Sequence, residues 1–502
     1  MNLETLLSYE WGIMAPEFVI LGVATLLSVI DLFMGRDKDR KILAWIGLGG
    51  IVIALFFLVG QLDHPVSSIL HDTYRLDSFS KAFKFIFLVG AGFVLLIAAS
   101  YEPKEKMAYR GEFYYLFLTA LLGAMMMASS ADLITLFVGL ELLSISSYIL
   151  AGIRKKHHGS NEAAMKYVIN GGISTAITLF GMSYIYGLSG STNLFEISTQ
   201  LSNLMTGNLQ YIISIAFLMV FVGLAFKIAV VPFQMWAPDV YQGSPTPVTA
   251  FLSVVSKTAG FVIIMRLFLV AFVQTPGIGG QIPLLMSMQQ FLAVLAGITI
   301  IVGNTIALRQ RNIKRLFAYS SIAHAGYLLV PFVAFSALMF ESMWFYLVAY
   351  LFMNLGAFAI IQMIIQRSDS EDVSAFSGLY QRSPAMAVLM SVFILSLAGI
   401  PGTMGFMGKF NIFIGVLASQ PSHYFLAALM MTGTVISYFY YFKIMQQMFF
   451  RPATDHSAVK VPAGISTVVI ICALGTVLFG ILPNVAMDFF YGSFNFTDFF
   501  GQ

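Results

Sequence analysis

Four charged residues stand inside long apolar runs of this 502-residue chain, far from any polar flank. They are one carboxylate, Glu141, and three amines, Lys227, Lys257 and Lys409. A charged side chain near the centre of a bilayer costs at least about 2.5–3.5 kcal/mol on insertion scales, so such residues are rare and usually mark ion pathways. The four residues therefore predict a protein that moves ions across a membrane, with protons as the preferred cargo.

The chemistry that these residues suggest is a carboxylate–amine switch. Glu141 lies near the middle of the run DLITLFVGLELLSISSYIL and is predicted to accept a proton opposite a lysine from another helix. Because a desolvated lysine changes its protonation state readily, opening such a pair would release a proton and closing it would favour reloading. The alternative is a carboxylate that is protonated, or satisfied by the nearby Ser144, Ser146 and Ser147.

Two further residues are candidates for proton transfer. His324, in YSSIAHAGYLL, is a possible relay because imidazole exchanges protons near neutral pH. A hydrogen-bonded packing histidine is the alternative. Lys166, in NEAAMKYVINGG, lies about one turn into its predicted helix and has either a transfer or a structural role. Arg266 and Glu17 lie near predicted helix ends, where topology anchors or contacts between subunits are expected.

Composition places the chain in a membrane and excludes several kinds of site. The residues are 58% hydrophobic and only 10% charged, with a mean hydropathy of +0.84, against roughly 25% charged in a soluble domain. The single cysteine, Cys472, excludes a cysteine-held iron–sulfur cluster, and no P-loop or dinucleotide fingerprint occurs. We therefore expect no cofactor or metal in this chain and no nucleic-acid partner.

Apolar runs of bilayer length predict about fourteen membrane-spanning helices. The predicted spans are 14–34, 42–60, 79–99, 112–129, 132–152, 163–189, 209–230, 245–271, 287–309, 314–335, 341–366, 384–417, 424–450 and 462–490. With this count nearly all loop lysines and arginines fall on one side. The positive-inside rule then predicts that both termini lie outside the cytoplasm.

Two of the spans are interrupted by proline. The seventh is followed by KIAVVPFQMWAPDVYQGSPTP, from Lys227 to Pro247, and the twelfth carries Pro401-Gly402 inside LAGIPGTMGFMGKF. Proline removes a helical hydrogen bond and clashes with the preceding turn, so both helices should be discontinuous. Paired interruptions at corresponding positions indicate inverted repeats around an ion site at mid-membrane depth. Proline kinks kept for packing are the alternative.

Five motifs then give the chain a resemblance to a known family. They are ADLITLFVGLELLSISSYIL, SNEAAMKYVINGG, GLAFKIAVVPFQMWAPDVYQGSPTPVTAFLSVVSK, RNIKRLFAYSSIAHAGYLL and LAGIPGTMGFMGKF. Over roughly residues 130–415 the chain resembles the antiporter-like membrane subunits of respiratory complex I, the NADH–quinone oxidoreductase. The stretch WAPDVYQGSPTPV is the most specific part of this resemblance.

The resemblance implies an all-α polytopic membrane protein of about fourteen helices, with two inverted five-helix repeats and broken helices 7 and 12. Its implied divisions are 1–111 for helices 1–3, 112–271 for helices 4–8, 287–450 for helices 9–13, and 462–502 for helix 14 and the tail. It also implies that Glu141 and Lys227 form the coupled pair, that Lys257 is a relay, and that Lys409 is the exit-side lysine.

The resemblance further implies that the redox chemistry belongs to partners. NADH, flavin, iron–sulfur clusters and quinone are expected in other subunits, and the neighbours are expected to be antiporter-like sisters, small hydrophobic subunits and the lipid bilayer. A bacterial cell membrane is the expected location. A subunit of a multisubunit Na⁺/H⁺ antiporter is the main alternative, and an independent solute transporter is a third. Amines dominate the predicted axis, whereas sodium binding needs several oxygen ligands, and this favours protons.

Overall fold

The computed structural model describes residues 7–35, 38–102, 110–203, 207–277, 282–336, 338–420, 422–453 and 461–500. Thirteen helices within these ranges are long and apolar enough to cross a membrane, and two shorter apolar helices, Pro384–Ala398 and Met404–Ala418, follow one another between two of them. Counted as one interrupted span, the short pair brings the total to the predicted fourteen. The predicted class, an all-α polytopic membrane protein, is confirmed.

The N-terminal third holds five helices and a small hairpin. Their bounds are α1 (Ala15–Phe33), α2 (Lys41–Gly60), β1 (Ser67–Ile69), β2 (Tyr74–Leu76), α3 (Ser78–Ala99), α4 (Arg110–Ser129) and α5 (Leu133–Ala151). The two strands pair antiparallel, with Ser68 opposite Arg75. Small residues let α4 and α5 approach closely, since a Cβ on Gly123 would lie 2.6 Å from the carbonyl oxygen of Gly139.

The remaining helices build the two regions that carry the candidate residues. The bounds of the first group are α6 (His158–Ser189), α7 (Leu194–Asn203), α8 (Gly207–Lys227), α9 (Trp236–Gly243) and α10 (Thr246–Ala271). The bounds of the second are α11 (Gln289–Ala307), α12 (Ile313–Ala334), α13 (Met339–Ser368), α14 (Pro384–Ala398), α15 (Met404–Ala418), α16 (Tyr424–Phe450), α17 (Ala463–Ile481) and α18 (Pro483–Ser493).

The centre of the molecule is formed by α10, α12 and α13. Helix α10 is buried along its whole candidate span, and α12 and α13 along most of theirs, whereas α1 and α6 bury only about a third. The outer helices present apolar side chains such as Ile169 and Ile173 outward, as expected for helices against lipid or another membrane subunit. The buried lysines and His324 therefore sit on helices whose environment is other helices.

The seventh and twelfth spans are discontinuous, as predicted. Helix α8 ends at Lys227 and the chain resumes helical geometry only at Trp236, where the short α9 begins. Helix α14 ends at Ala398, and α15 begins at Met404. The linker between them uses Gly399 at φ +83° and Gly402 at φ +86°, a conformation that other residues adopt with strain.

Several predicted boundaries were wrong for identifiable reasons. Helix α6 begins at His158, five residues before the predicted start, because His157 accepts a hydrogen bond from the backbone N–H of Ser160 as an N-cap. The predicted final span 462–490 is two helices, since Pro483 forces Leu482 out of helical geometry and starts α18. The division into two repeats remains a prediction. Four basic residues used in the topology argument lie outside the described residues: Arg36, Lys104, Lys106 and Lys460.

Candidate functional site

Lys227 contacts α5 one helical turn beyond Glu141. The Lys227 ammonium donates to the hydroxyl of Ser144 at 2.9 Å, and Ser144 lies three residues beyond Glu141. Glu141 is half-buried and accepts a hydrogen bond from Thr175 of α6 at 2.9 Å. Within the described part of the chain, no ion pair joins Lys227 to Glu141 directly. Lys227 thus contacts the turn of α5 that follows Glu141, and the coupling of the two residues remains a prediction.

Lys257 is buried and is held by neutral oxygens. Its ammonium contacts both the carbonyl oxygen and the hydroxyl of Ser321 on α12. The same Ser321 hydroxyl accepts a hydrogen bond from Tyr350 at 2.8 Å and lies 3.3 Å from the hydroxyl of Tyr241. Helix α10 packs against the side chain of Lys227 three residues after Lys257, since a Cβ on Gly260 would lie 3.3 Å from Cγ of Lys227.

His324 lies one turn beyond Ser321 and has a tyrosine hydroxyl at each ring nitrogen. Its Nδ1 is hydrogen-bonded to Tyr346 at 2.5 Å, and its Nε2 lies 3.4 Å from the hydroxyl of Tyr441. Tyr441 is in turn hydrogen-bonded to Ser320 at 2.5 Å. Imidazole can donate at one nitrogen and accept at the other, so this arrangement is suited to passing a proton between hydroxyl groups.

The side chain of Lys409, which lies on α15, reaches the break in the twelfth span. Its ammonium donates to the carbonyl oxygens of Leu397 at 2.9 Å and Ala398 at 3.2 Å, which have lost their helical donors because α14 ends there. It also lies 5.0 Å from the ring centroid of Tyr327, three residues after His324. A cation at a helix C-terminus is stabilised by the helix dipole.

Five of the six predicted residues form a series on helices α5, α8, α10, α12 and α15, which we call the axis. In order they are Glu141, Lys227, Lys257, His324 and Lys409; Glu141 is half-buried and the other four are buried. Hydroxyl groups and backbone carbonyl oxygens bind the ammonium groups of the axis. The sequence located the ionisable residues of this axis, but not Ser321, Tyr346 or Tyr441, whose role depends on which helices pack together.

Lys166 lies apart from this axis. It is partly exposed and pairs with Glu162 and Asp239 at 2.6 Å each, and Asp239 also pairs with Arg315 at 2.5 Å. Asp239 lies outside the candidate spans, where partial burial opposes its ionisation. The hydrogen bonds and charges of Lys166 and Arg315 outweigh that effect and lower the pKa of its carboxyl group. The partners Glu162, Asp239 and Arg315 border a polar cavity of about 510 Å³.

Three residues assigned to helix ends or loops are in fact buried within the chain. Glu17 pairs with Lys84 at 2.6 Å, and neither side chain is more than 2% exposed. Arg266 is fully buried and forms a two-point ion pair with Asp77, at 2.5 and 2.8 Å. Glu17 and Arg266 are thus internal ion-pair partners rather than anchors or contacts between subunits. Lys314, counted among the basic loop residues, is also buried.

Comparison with known proteins gives the family of the chain. The family model described as NADH:quinone oxidoreductase/Mrp antiporter, TM, matches residues 130–437, more than half of the chain. A curated protein from Geobacillus sp. (strain WCH70), named NADH-quinone oxidoreductase subunit N, is 62% identical over 490 residues, or 97% of this chain and 100% of that protein. This chain belongs to the NADH-quinone oxidoreductase subunit N family. The predicted family resemblance is confirmed.

Solved structures place the subunit N family fold in larger assemblies. A chain of respiratory complex I from Thermus thermophilus with bound aureothin matches with a TM-score of 0.77 and 29% identity, over 94% of this chain and 98% of that one. A chain of the archaeal membrane-bound sulfane sulfur reductase matches with a TM-score of 0.79 and 22% identity, over 96% of both. The second likeness concerns the fold alone.

Proposed function

We propose that this chain translocates protons as a membrane subunit of an NADH–quinone oxidoreductase. The observation that carries the proposal is the axis of ionisable groups from Glu141 to Lys409, four of them buried and Glu141 half-buried, on five helices that are otherwise largely apolar. Buried charges in a membrane protein are costly and are retained mainly where they work. Membership of the subunit N family supports the oxidoreductase as the complex in which this work is done.

The contacts of the axis suggest how a proton would move. Lys227 is bound to Ser144, which lies one helical turn from Glu141 on α5, so a displacement of the amine towards Glu141 would exchange a neutral partner for a charged one. Such an exchange changes the relative stability of the charged and neutral amine. Lys257 and Lys409 are held by hydroxyl and carbonyl oxygens, which accept hydrogen bonds from either protonation state.

The driving energy is assigned to other subunits. NADH, flavin, iron–sulfur clusters and quinone belong to the rest of the complex in this proposal, and antiporter-like sisters, small hydrophobic subunits and lipid surround this chain. The expected setting is a bacterial cell membrane with both termini on the non-cytoplasmic side. Lys166 is assigned to proton uptake on the side rich in basic residues, because its network borders the polar cavity.

The Na⁺/H⁺ antiporter alternative is less well supported. The 62% identical relative is named as an oxidoreductase subunit, although the family model covers both classes. The axis presents ammonium groups from Lys227, Lys257 and Lys409, whereas a sodium ion needs several oxygen ligands and is repelled by nearby cations.

Purification from the native membrane tests the assignment to the complex. The chain would be tagged at an exposed position and isolated, its partners identified by mass spectrometry, and NADH–quinone reductase activity assayed. Co-purifying flavin and iron–sulfur subunits with inhibitor-sensitive activity are expected. Recovery with hydrophobic partners only, without NADH oxidation, would favour the antiporter.

Proteoliposomes test proton transfer itself. The intact complex would be reconstituted, and the ratio of protons moved to NADH oxidised measured for Lys257→Met and for the control Lys156→Met, which removes an exposed loop charge. We expect Lys257→Met to lower the ratio and Lys156→Met to leave it unchanged. A normal ratio in Lys257→Met would refute the proposed axis.

A further inference from the structure

The short helix α9 ends in three successive carbonyl groups that are all bound by cations from other elements. Lys314, at the start of α12, donates to the carbonyl oxygens of Gln242 at 3.1 Å and Ser244 at 2.9 Å. Arg154, which follows α5, donates to the carbonyl oxygen between them, that of Gly243, at 3.0 Å. The C-terminal end of α9 is therefore fixed by two positive charges, which also suit the negative end of its dipole.

The Lys314 ammonium has an acceptor for each of its three N–H donors. An ammonium has three N–H donors, and the third is directed to Glu371, whose carboxylate lies 2.6 Å away. Glu371 is itself fixed, because Asn312 donates to its other carboxylate oxygen at 2.9 Å and the backbone N–H of Ile313 donates to its carbonyl at 2.7 Å. Lys314 is only 2% exposed, whereas the side chain of Glu371 is 26% exposed and borders the polar cavity, so the ammonium is the sheltered end of this ion pair.

The other contacts of α9 involve the residue that precedes Lys227 and the residue that binds Lys257. At its start, the indole N–H of Trp236 donates to the carbonyl oxygen of Phe226 at 2.9 Å, one residue before Lys227. Near its end, the hydroxyl of Tyr241 lies 3.3 Å from the hydroxyl of Ser321, the group that binds Lys257. An eight-residue helix is not stable alone, so its position depends on such contacts.

We propose that Lys314 is a positioning residue for proton transfer. By holding the C-terminal end of α9, it keeps Tyr241 opposite Ser321 and Trp236 against Phe226, and so sets the surroundings of Lys257 and Lys227. Lys314 itself carries no proton in this role. The inference rests on the proposed function, because it assigns Lys314 to the same axis.

The test compares Lys314→Met with Lys314→Arg in the intact complex. Lys314→Met removes all three donated hydrogen bonds, and we expect the ratio of protons moved to NADH oxidised to fall at least about threefold, within the range seen when coupling contacts are removed. Lys314→Arg keeps a cation with several donors and should restore most of the ratio. Lys156→Met is the matched control for loss of a lysine charge and should behave as the unaltered protein.

Hydrogen exchange separates positioning from other roles. In Lys314→Met, the backbone amides of residues 236–244 should exchange faster than in the unaltered complex, and Lys156→Met should leave them unchanged. A normal proton ratio in Lys314→Met would overturn the inference. So would a lowered ratio with unchanged exchange at 236–244, since Lys314 would then act without moving α9.

A second variant keeps the test decisive if Lys314→Met does not assemble. Tyr241→Phe removes only the hydroxyl facing Ser321, and it should lower the proton ratio while residues 236–244 keep normal exchange. An unchanged ratio in Tyr241→Phe would contradict the inference. The Lys257→Met measurement distinguishes failure of the proposed function from failure of the positioning role. If Lys257→Met pumps normally, the proposed axis is wrong. If only the Lys314 and Tyr241 variants pump normally, the positioning role alone is wrong.

Discussion

Lys227 binds Ser144 across 83 residues of sequence, and this contact occupies the amine that sequence reasoning had paired with Glu141. The Ser144 hydroxyl also donates to the carbonyl oxygen of Leu140 at 2.7 Å, so its oxygen is oriented to accept from the lysine. In the proposed mechanism, Ser144 is a neutral holding position for Lys227 beside Glu141, and this contact corresponds to an open pair.

Ser144→Ala should disturb proton transfer without unfolding the chain. The change removes the hydroxyl that accepts from Lys227, a hydrogen bond to a charged group worth about 1.5–3 kcal/mol. We expect a several-fold lower proton-to-NADH ratio in proteoliposomes. Ser147→Ala is the matched control, because Ser147 is buried on the same helix and its hydroxyl donates only to Leu143. Equal losses in the two variants would argue against the holding role.

Glu141→Gln should separate the charge of this residue from its hydrogen bond. The amide oxygen can still accept from Thr175, so thermal stability of the complex should change by less than about 1 kcal/mol. The proton-to-NADH ratio should nevertheless fall, because the titratable group is gone. Thr175→Val removes the hydrogen bond and keeps the charge, and we expect it to retain most of the ratio. The reverse order of severity would contradict a proton-accepting role for Glu141.

Lys409 should tolerate arginine better than methionine. Lys409→Met leaves the carbonyls of Leu397 and Ala398 without their donor, at a cost of about 1–3 kcal/mol for each buried group that water does not reach. Arginine can still donate to both but does not give up its proton. Both variants should lower the proton ratio, and only Lys409→Met should also lower the melting temperature. Normal pumping in Lys409→Arg would show that deprotonation of this residue is not required.

Arg266→Met should destabilise the chain far more than a change in a partly exposed pair. Removing one partner of a buried ion pair costs about 3–5 kcal/mol, because Asp77 is left charged and buried. Arg40→Met, which breaks the partly exposed pair with Asp31, should cost about 0–1 kcal/mol. Thermal unfolding of the purified complex compares the two. The double variant Asp77→Asn with Arg266→Met should recover part of the loss, and no recovery would mean that the charge imbalance is not its cause.

The sequence predicted the ionisable residues of the axis better than their surroundings. Lys227, Lys257 and Lys409 could be found because a charge within an apolar run is visible in one dimension. Their partners could not, since Ser144, Ser321 and Leu397 are ordinary residues until helices from distant parts of the chain bring them together. Glu17 and Arg266 were misassigned for the same reason: nearness to a predicted helix end does not reveal whether another helix covers the side chain.

Lys166 and Lys314 also show that the sequence does not reveal which lysines are buried: Lys166 is partly exposed, and Lys314 is buried. Lys166 lies within a predicted membrane span, as the axis lysines do, yet it pairs with acidic residues at a partly exposed edge. Lys314 lies in a basic loop motif, and it is buried because Glu371 and two carbonyl groups receive its ammonium. Apart from Glu162, the acidic partners of these two lysines, Asp239 and Glu371, lie more than 55 residues away in the sequence.

The segment around Asp498 carries a consequence for how the chain is made. Asp498 accepts hydrogen bonds from the backbone and hydroxyl of Ser78, and Phe499 packs at 4.7 Å from the ring of Phe79 and over Arg266. These contacts complete the N-terminal end of α3, but their residues leave the ribosome 420 positions after Ser78. During synthesis the N-terminal end of α3 therefore stays without these contacts until the segment around Asp498 has been made.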